Sequence, residues 1–297
     1  MQFGADRIQI GPLPPRDCQA GGMCHNWLRG VRVRLAGLGE GLMAMRVMVS
    51  AGGSGIGLAI AKAFFKEGAQ ISICDADPMA LDWVQRDYPD WSIIEADVTD
   101  EAAVDFWFDA FRVKEKGLDV LVNNAGIAGP IGPVEEIGFE GWKKCLAVGL
   151  DGQFLCARRA VPVMKRQKAG SIINVSSTSG LYGVGLRTPY SAAKWGVIGL
   201  TKSLAIELGP FNVRVNAICP GSVAGERIER VIAAEAEKRK RTPDEVRAEY
   251  VSGQSIKRFP EAEEIADLCV FLASDKAKMI SGQALPIDGN TETYHMG

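Results

Sequence analysis

The chain has 297 residues, of which 47% are hydrophobic and 24% charged, and its formal net charge is −2. This length allows one large core or two modest ones, and the nearly balanced charge gives no reason to expect nucleic acid or an acidic membrane surface as a partner. No apolar run approaches the roughly 20 residues that a membrane helix needs.

Cysteine and histidine usage points away from metal and disulfide chemistry. The seven cysteines form no C-x-x-C pair, and the two histidines, His25 and His295, lie near the termini. That spacing is typical of neither a zinc site nor a disulfide framework, and it gives no basis for a histidine-dependent triad. We therefore expect a reduced, soluble, cytoplasmic protein without a metal.

Residues 1–40 differ from the rest of the chain, because glycine, proline and polar residues follow one another there without a period. They lack the basic start and apolar core of a signal peptide, although the arginines of "LRGVRVRLAG" resemble those of a transit peptide. We expect a disordered or non-native leader, with Met43 or Met45 as the natural start, followed by one domain over residues 41–297.

Strand-like and helix-like segments alternate from Met45 onward. Short apolar runs predict strands, and runs with a helical period predict helices. In chain order, the first half predicts strand "RVMV", turn "SAGGSGIG", helix "LAIAKAFFKEGA", strand "QISIC", helix "PMALDWVQRDY", strand "WSIIEADV", helix "DEAAVDFWFDAFRVKEKG" and strand "LDVLVNNAG".

The second half continues this alternation. A long helix is predicted over Phe139–Gln167, and another begins at "TPYSAAKWGVIGL", with Thr188 as its N-cap and Pro189 at its first position. The remaining segments are strand "GSIINVSS", strand "VRVNAICPG", helix "EAEEIADLCVFLASD" and strand "QALPIDG". Apolar strands that alternate with helices predict a single doubly wound α/β domain, whose parallel sheet is covered on both faces.

One insertion, at about residues 222–258, interrupts the alternation after the strand that ends in "CPG". It predicts two charged helices, the second of which begins with a capping box, the pattern T-P-D-E from Thr242 to Glu245. Because open α/β sheets bind ligands at the carboxyl ends of their strands, we expect this insertion to form a mobile helical lid over a pocket. A solvated surface hairpin is the alternative.

The turn "SAGGSGIG", between the first strand and the first helix, has the composition of a phosphate-binding loop. Its glycines let the backbone approach a pyrophosphate, and the helix N-terminus offers free N–H groups and a positive dipole end. Asp75 ends the second strand, where a carboxylate accepts hydrogen bonds from the ribose diol of NAD and repels the additional phosphate of NADP. These features predict NAD; a turn without a ligand, and an aspartate that merely caps the next turn, are the alternatives.

Five short motifs follow one another in a fixed order. Ser50–Gly57 matches the pattern T-G-x-x-x-G-x-G, with Ala51 in place of the first glycine. An aspartate and a valine, Asp97 and Val98, follow the third strand, and the run N-N-A-G at Asn123–Gly126 follows the fourth. Together with a later Y-x-x-x-K and a P-G after a strand, these motifs make the chain resemble the classical short-chain dehydrogenases/reductases over nearly the whole predicted domain.

The resemblance implies a Rossmann-type domain and an oxidoreductase that interconverts a secondary alcohol and a ketone. Tyr190 and Lys194 share one helix face, where an ammonium group favours the phenolate form of a tyrosine. The family pattern implies that Tyr190 is the general acid/base, that Lys194 also holds the nicotinamide ribose, and that Ser177 stabilises the substrate oxygen. The nicotinamide carries the hydride chemistry.

The same resemblance implies which residues hold NAD. They belong to the glycine-rich turn, the ends of the strands and the Y-x-x-x-K pair. The residues are Ala51, Ser54, Gly55, Ile56, Gly57, Asp75, Asp97, Val98, Asn124, Ala125, Gly126, Tyr190, Lys194, Pro220, Gly221 and Val223.

Two positions depart from the family pattern. Gly149 replaces an asparagine that supports a water chain leading protons away from the lysine, and Gly225 stands where a threonine often contacts the nicotinamide. At position 149, a backbone carbonyl and an additional water can fill the gap, since glycine tolerates a local break in the helix. Alternatively the chain is a weak enzyme or an NAD-binding sensor or scaffold. An epimerase or dehydratase acting on a sugar nucleotide is a third possibility, although such relatives usually carry a fuller C-terminal domain.

The sequence says less about the substrate. Arg187, near Tyr190, and Arg227 and Arg230, in the insertion, would suit an anionic substrate, since guanidinium groups bind carboxylates and phosphates in a fork. The alternative is that these arginines are solvated and pair with neighbouring glutamates such as Glu226 and Glu229.

Proteins of this family are commonly homotetramers, joined through the long helix, the helix that carries the tyrosine and the last strand. We therefore expect a homotetramer that acts on a small-molecule alcohol or carbonyl compound, with neither nucleic acid nor a membrane as partner. The apolar run "WGVIGLTKSLAI" fits a helix that is buried on two sides.

Overall fold

Seven parallel strands form a sheet in the computed structural model of the protein, which describes residues 44–115 and 117–291. The strands are β1 (Arg46–Ser50), β2 (Gln70–Asp75), β3 (Ser92–Glu95), β4 (Val120–Asn123), β5 (Gly170–Val175), β6 (Val213–Pro220) and β7 (Ala284–Ile287). Their order across the sheet is β3-β2-β1-β4-β5-β6-β7. Because β1 lies between β2 and β4, the strand order reverses beside β1, and open sheets form their ligand crevice at such a reversal.

Helices cover both faces of this sheet. The α-helices of the described residues are α1 (Gly55–Lys66), α2 (Pro78–Asp87), α3 (Glu101–Glu115), α4 (Phe139–Leu146), α5 (Gly152–Gln167), α6 (Thr188–Leu208), α7 (Glu226–Arg239), α8 (Pro243–Ser252) and α9 (Ala262–Ala273). Val47 and Val49 of β1 belong to a core shared with α1 and α9, whereas Met48 belongs to a core shared with α3, α5 and α6. Successive side chains of a strand point to opposite faces, so both cores draw on the same apolar run. The predicted doubly wound α/β fold is confirmed.

The helix predicted over Phe139–Gln167 is not continuous. A π-helical segment at Ala147–Asp151 separates α4 from α5. The chain packs tightly at two glycines here: a Cβ atom on Gly152 would lie 2.6 Å from a methyl carbon of Val98, and one on Gly149 would lie 3.2 Å from the Cβ of Ala193. Such π segments are frequent at functional sites. The prediction of one unbroken helix is therefore wrong.

The start of α6 also differs from the prediction. Thr188 is the first helical residue rather than the N-cap, Arg187 occupies the N-cap position, and no side chain caps the helix. Pro189 still lies in the first turn, where its missing N–H breaks no helical hydrogen bond. The side chain of Arg187 is consequently available for contacts outside the helix end.

The insertion forms the two predicted helices, α7 and α8. They share an apolar cluster of their own, which includes Ile228, Ile232 and Val246. The predicted capping box is present: Glu245 donates its backbone N–H to Thr242 Oγ1 at 3.3 Å, and Thr242 donates its own to Glu245 Oε2 at 2.8 Å. The role of the insertion as a lid stays a prediction.

Within the described residues, no helix is long and apolar enough to cross a membrane. All of these residues fall in one compact unit, residues 43–297. The predicted leader, residues 1–40, lies outside the described residues.

Candidate active site

The predicted site residues lie at the carboxyl ends of the strands. Parallel strands place these ends along one edge of the sheet, so residues that are distant in the sequence come together there. Asp97, which is exposed, and Val98, which is buried against Gly152, follow β3. Pro220 ends β6, and Val223 packs on the apolar core beyond it.

Asn124 holds the glycine-rich turn in place. Its Nδ2 donates hydrogen bonds to the carbonyl oxygens of Ser50 at 3.1 Å and Ala51 at 3.0 Å. Ala51 has a φ of 50°, in the left-handed region that alanine rarely adopts. A Cβ atom on Gly57 would lie 2.1 Å from the carbonyl oxygen of Ala51, so this position accepts only glycine. The turn is thus strained but fixed from several sides, as at many ligand sites.

The N-terminus of α1, which follows this turn, suits an anion. Ser54 occupies its N-cap position without a side-chain capping hydrogen bond, and the first turn contains no acidic residue. Uncapped N–H groups and the positive end of the helix dipole fit a pyrophosphate. Asp75 borders the turn, because its Oδ2 accepts a hydrogen bond from the backbone N–H of Gly53 at 3.0 Å and its Oδ1 accepts one from that of Asp77 at 3.1 Å. These residues fit a dinucleotide whose ribose lies at Asp75.

Lys194 is almost fully buried, with 3% of its surface exposed. Its Nζ donates a hydrogen bond to the carbonyl oxygen of Val175 at 2.9 Å. Burial lowers the pKa of Lys194, Tyr190 opposes this shift, and the positive charge of Arg227 adds to it. Gly126 leaves room for the ammonium group, since a Cβ atom there would lie 3.2 Å from Lys194 Nζ.

The end of β5 is tied to α6, which fixes the position of Ser177. Ser176 Oγ donates a hydrogen bond to the backbone carbonyl of Lys194 at 2.9 Å. Gly180 approaches the same carbonyl so closely that a Cβ atom would lie 2.7 Å from its oxygen. Between them, Ser177 Oγ accepts a hydrogen bond from the backbone N–H of Ser179 at 3.1 Å. The predicted serine is therefore held beside the helix that carries the tyrosine and the lysine.

Tyr190 lies in the first turn of α6 and is half-buried. Lys194 Nζ lies 5.7 Å from the centroid of its ring, and the guanidinium carbon of Arg187 lies 4.9 Å from the same point. Two cationic groups therefore flank this ring, at distances at which cations interact with aromatic faces. The structure thus brings the predicted tyrosine and lysine together and adds an arginine.

A model of the enoyl-(acyl carrier protein) reductase family matches residues 50–290 of the chain. The levodione reductase of Leifsonia aquatica is 34% identical to the chain over 249 residues, which is 82% of this chain and 92% of that protein. The chain belongs to the short-chain dehydrogenase/reductase family.

Other short-chain dehydrogenases/reductases match over similar lengths. The D-beta-hydroxybutyrate dehydrogenase of Rhizobium meliloti (strain 1021) is 34% identical over 254 residues, covering 83% of this chain and 98% of that protein. The solved structure of an NAD⁺-bound xylitol dehydrogenase is 29% identical, with a TM-score of 0.78, and covers 83% of this chain and 98% of that one. The predicted family and the predicted enzyme class, a dehydrogenase or reductase, are confirmed.

Gly149, which stands where the family has an asparagine, lies within the π-helical segment. One turn further on, Gln153 Nε2 donates a hydrogen bond to the carbonyl oxygen of Val175 at 3.2 Å, and this oxygen also accepts from Lys194. Gln153 Oε1 is buried and has no hydrogen-bond partner among the described residues. Gln153 belongs to none of the five motifs, so its position in the site could not be predicted from the sequence.

A series of hydrogen bonds between buried side chains was also not predicted from the sequence. Asn123 Nδ2 donates to Asn174 Oδ1 at 2.9 Å, and Asn174 Nδ2 donates to Thr201 Oγ1 at 2.9 Å. These bonds join β4, β5 and α6 behind the site, and buried polar networks of this kind fix one arrangement when their bonds are made.

The backbone conformation accounts for the second departure from the family pattern, Gly225. Its φ of 134° lies in a region that favours glycine, so the family's threonine would be strained at this entrance to α7.

Proposed function

We propose that the protein is an NAD(H)-dependent oxidoreductase that interconverts a secondary alcohol and a ketone. The observation that carries this proposal is the grouping of Tyr190 and buried Lys194 on α6, with Ser177 fixed beside them at the carboxyl edge of the sheet. NAD is the cofactor, because Asp75 borders the glycine-rich turn and because a structural neighbour is an NAD⁺-bound dehydrogenase.

In the reducing direction, Tyr190 donates its phenolic proton to the carbonyl oxygen of the substrate, and in the oxidising direction it accepts the proton of the alcohol. Ser177 Oγ donates a hydrogen bond to the same oxygen and stabilises the charge that develops there. Lys194 stabilises the negative charge left on Tyr190 and binds the nicotinamide ribose. When bound, the nicotinamide supplies or accepts the hydride.

An NAD-binding sensor or scaffold is the second candidate, and Gly149 is the observation that favours it. Without the asparagine, the proton relay from Lys194 needs other polar groups. The amide of Gln153 supplies such a group beside the acceptor of Lys194, which supports an active enzyme.

The direct test is NADH consumption, followed by absorbance, with a panel of ketones, keto acids and keto sugars. We expect turnover of at least one carbonyl compound and no consumption without one. Tight NADH binding without turnover of any compound would overturn the proposed reduction and favour the sensor.

Asp75→Asn is expected to lower the preference for NADH over NADPH about tenfold or more. The asparagine keeps the size of the side chain but removes a charge that repels the additional phosphate by about 1 to 4 kcal/mol. The measurement is the ratio of kcat/KM for the two cofactors. Asp77→Asn, which makes the same charge change at the exposed N-cap of α2, is the control and should leave the ratio unchanged. An unaltered ratio in Asp75→Asn would show that Asp75 only shapes the turn.

We also propose a homotetramer. Trp195 on α6 and Phe154 on α5 are 51% and 48% exposed in the single chain, although their helices are those that join subunits in related proteins. Trp195→Arg is expected to shift sedimentation toward smaller species, whereas Trp83→Arg, at a still more exposed tryptophan on α2, should not. Sedimentation of the unaltered protein as a monomer would contradict the proposal.

A cytoplasmic location and a lid complete the proposal. All five cysteines in the described part of the chain, which are Cys74, Cys145, Cys156, Cys219 and Cys269, carry free thiols, as is usual in reducing compartments. The lid, residues 222–258, follows β6 directly, and its Arg227 acts electrostatically on Lys194.

A further inference from the structure

Two arginines from different parts of the chain act on the catalytic side chains, Arg187 by its contact with the ring of Tyr190 and Arg227 by its positive charge. Arg187, at the start of α6, lies with its guanidinium carbon 4.9 Å from the ring centroid of Tyr190. Arg227, in the first turn of α7, adds to the effect of burial in lowering the pKa of Lys194. The main contributions to that pKa come from burial, Tyr190, Arg227 and two cysteines, and none of them is a carboxylate. The site therefore carries an excess of positive charge.

Arg230 of the lid segment forms no ion pair among the described residues, whereas the four remaining arginines of the segment besides Arg227 have acidic partners. Their ion pairs are Arg239 with Glu235 and Glu249, Arg241 with Glu249, Arg247 with Glu229, and Arg258 with Glu264. Glu229, which was expected to pair with nearby arginines of its own segment, is thus paired with Arg247 of α8. Among the described residues, no ion pair is found for Arg187 or Arg227.

Arg187 also acts on the lid. Burial raises the pKa of Tyr250 in α8 to about 12, the hydrogen bond to Glu235 adds to this shift, and the charge of Arg187 opposes it. Arg187 thus contacts the ring of Tyr190, and its charge also opposes the rise in the pKa of Tyr250 in the lid. Glu235 binds Tyr250 and Arg239, and among the described residues no ion pair joins it to Arg187.

We propose that the substrate carries a carboxylate, and that Arg187 and Arg227 bind it while Tyr190 and Ser177 hold the ketone oxygen. This inference rests on the proposed ketone reduction and adds the chemical class of the substrate, a small hydroxy acid or the corresponding keto acid. Planar guanidinium groups bind carboxylates through paired, charge-assisted hydrogen bonds. An anion there also relieves the mutual repulsion of Arg187, Arg227 and Lys194.

The test compares keto acids with their neutral methyl esters. Pyruvate, acetoacetate and levulinate place the carboxylate progressively further from the ketone carbon. For at least one acid, kcat/KM is expected to exceed that of its ester by about tenfold or more, the effect of a charge-assisted hydrogen bond.

The variants Arg187→Gln and Arg227→Gln are each expected to raise KM for that acid about tenfold or more. Loss of a charge beside Tyr190 or Lys194 should alter kcat equally for acid and ester, so the ratio of kcat/KM for acid to ester isolates the lost contact to a part of the substrate that does not react. Arg86→Gln, which makes the same charge change at an exposed position in the last turn of α2, is the matched control and should change nothing for acid or ester.

The outcomes separate this inference from the proposed reduction. Equal kcat/KM for acids and esters would overturn the carboxylate site and leave ketone reduction standing. A raised KM for NADH in Arg227→Gln, with an unchanged ratio of acid to ester, would assign Arg227 to the cofactor and overturn its role here. If no compound is turned over, calorimetric titration of levulinate and of its ester into the NADH-saturated protein tests the carboxylate site directly. Stronger binding of the acid than of the ester, lost in Arg187→Gln, would support the site. Equal binding of the two, or no binding of either, would overturn it.

Discussion

Replacing Tyr190 with phenylalanine is expected to lower kcat by about a hundredfold to ten-thousandfold for every ketone that the protein reduces. The substitution removes one hydroxyl group and keeps the ring between Lys194 and Arg187. Packing of α6 and binding of NADH should therefore persist, while the proton for the carbonyl oxygen is lost. The measurements are kcat by NADH absorbance and the Kd for NADH by fluorescence.

The matched control for this substitution is Tyr88→Phe. Tyr88 stacks on Trp91 with ring centroids 4.2 Å apart, in an aromatic cluster beside α1 and outside the site. Its variant should keep full turnover. If Tyr190→Phe instead retained turnover within a few-fold of the unaltered protein, the proton would come from another donor and the proposed role of the tyrosine would be wrong.

The order of the motifs made most of the site predictable. Four of the five motifs lie at the ends of strands, and Y-x-x-x-K lies on α6, the helix that follows β5. Because the strands are parallel, their carboxyl ends had to meet at one edge. Asp75 at the end of β2 and Asn124 after β4 both contact the glycine-rich turn for this reason. Their types and positions alone indicated a dinucleotide site.

The features of the site that could not be predicted from the sequence depend on packing between helices and strands. Gln153 supports the acceptor of Lys194 only because a helix interrupted at a π segment packs against β5. In the sequence, the glycines at that break resemble ordinary helix glycines, and only the structure shows that Val98 packs closely against Gly152. Likewise Glu229 has arginines near it in sequence, but it binds Arg247 of the next helix, since α7 and α8 lie side by side.

Replacing Lys194 with methionine is expected to abolish turnover and, at the same time, to stabilise the cofactor-free protein. The ammonium group is almost fully buried and makes one hydrogen bond, to the carbonyl oxygen of Val175. Methionine fills a similar volume without a charge. The carbonyl oxygen keeps its second hydrogen bond, from Gln153 at 3.2 Å, so the substitution leaves no buried acceptor without a partner.

The predicted gain is a rise in Tm of a few degrees, since about 1 kcal/mol shifts the Tm of a chain of this size by roughly 2 °C. Lys202→Met, two turns along α6, is the matched control: Lys202 is exposed, its Nζ donates to the carbonyl oxygen of Gly282 at 3.3 Å, and its loss should not raise Tm. A Tm of Lys194→Met at or below that of the unaltered protein would show that the buried ammonium group is fully compensated.

The pH dependence of this difference separates charge from packing. Burial lowers the pKa of Lys194 in the folded protein, so the unfolded chain binds the proton more tightly. The buried charge therefore lowers the free energy of unfolding by its full amount at pH values below the folded-state pKa. This loss of stability decreases as the pH rises from there and is absent above the ordinary lysine value of 10.5. The Tm of Lys194→Met should exceed that of the unaltered protein at neutral pH, and the two should converge as the pH rises toward 10.5. A difference that stays constant over this range would come from packing alone and would show that the charge of Lys194 does not destabilise the folded protein.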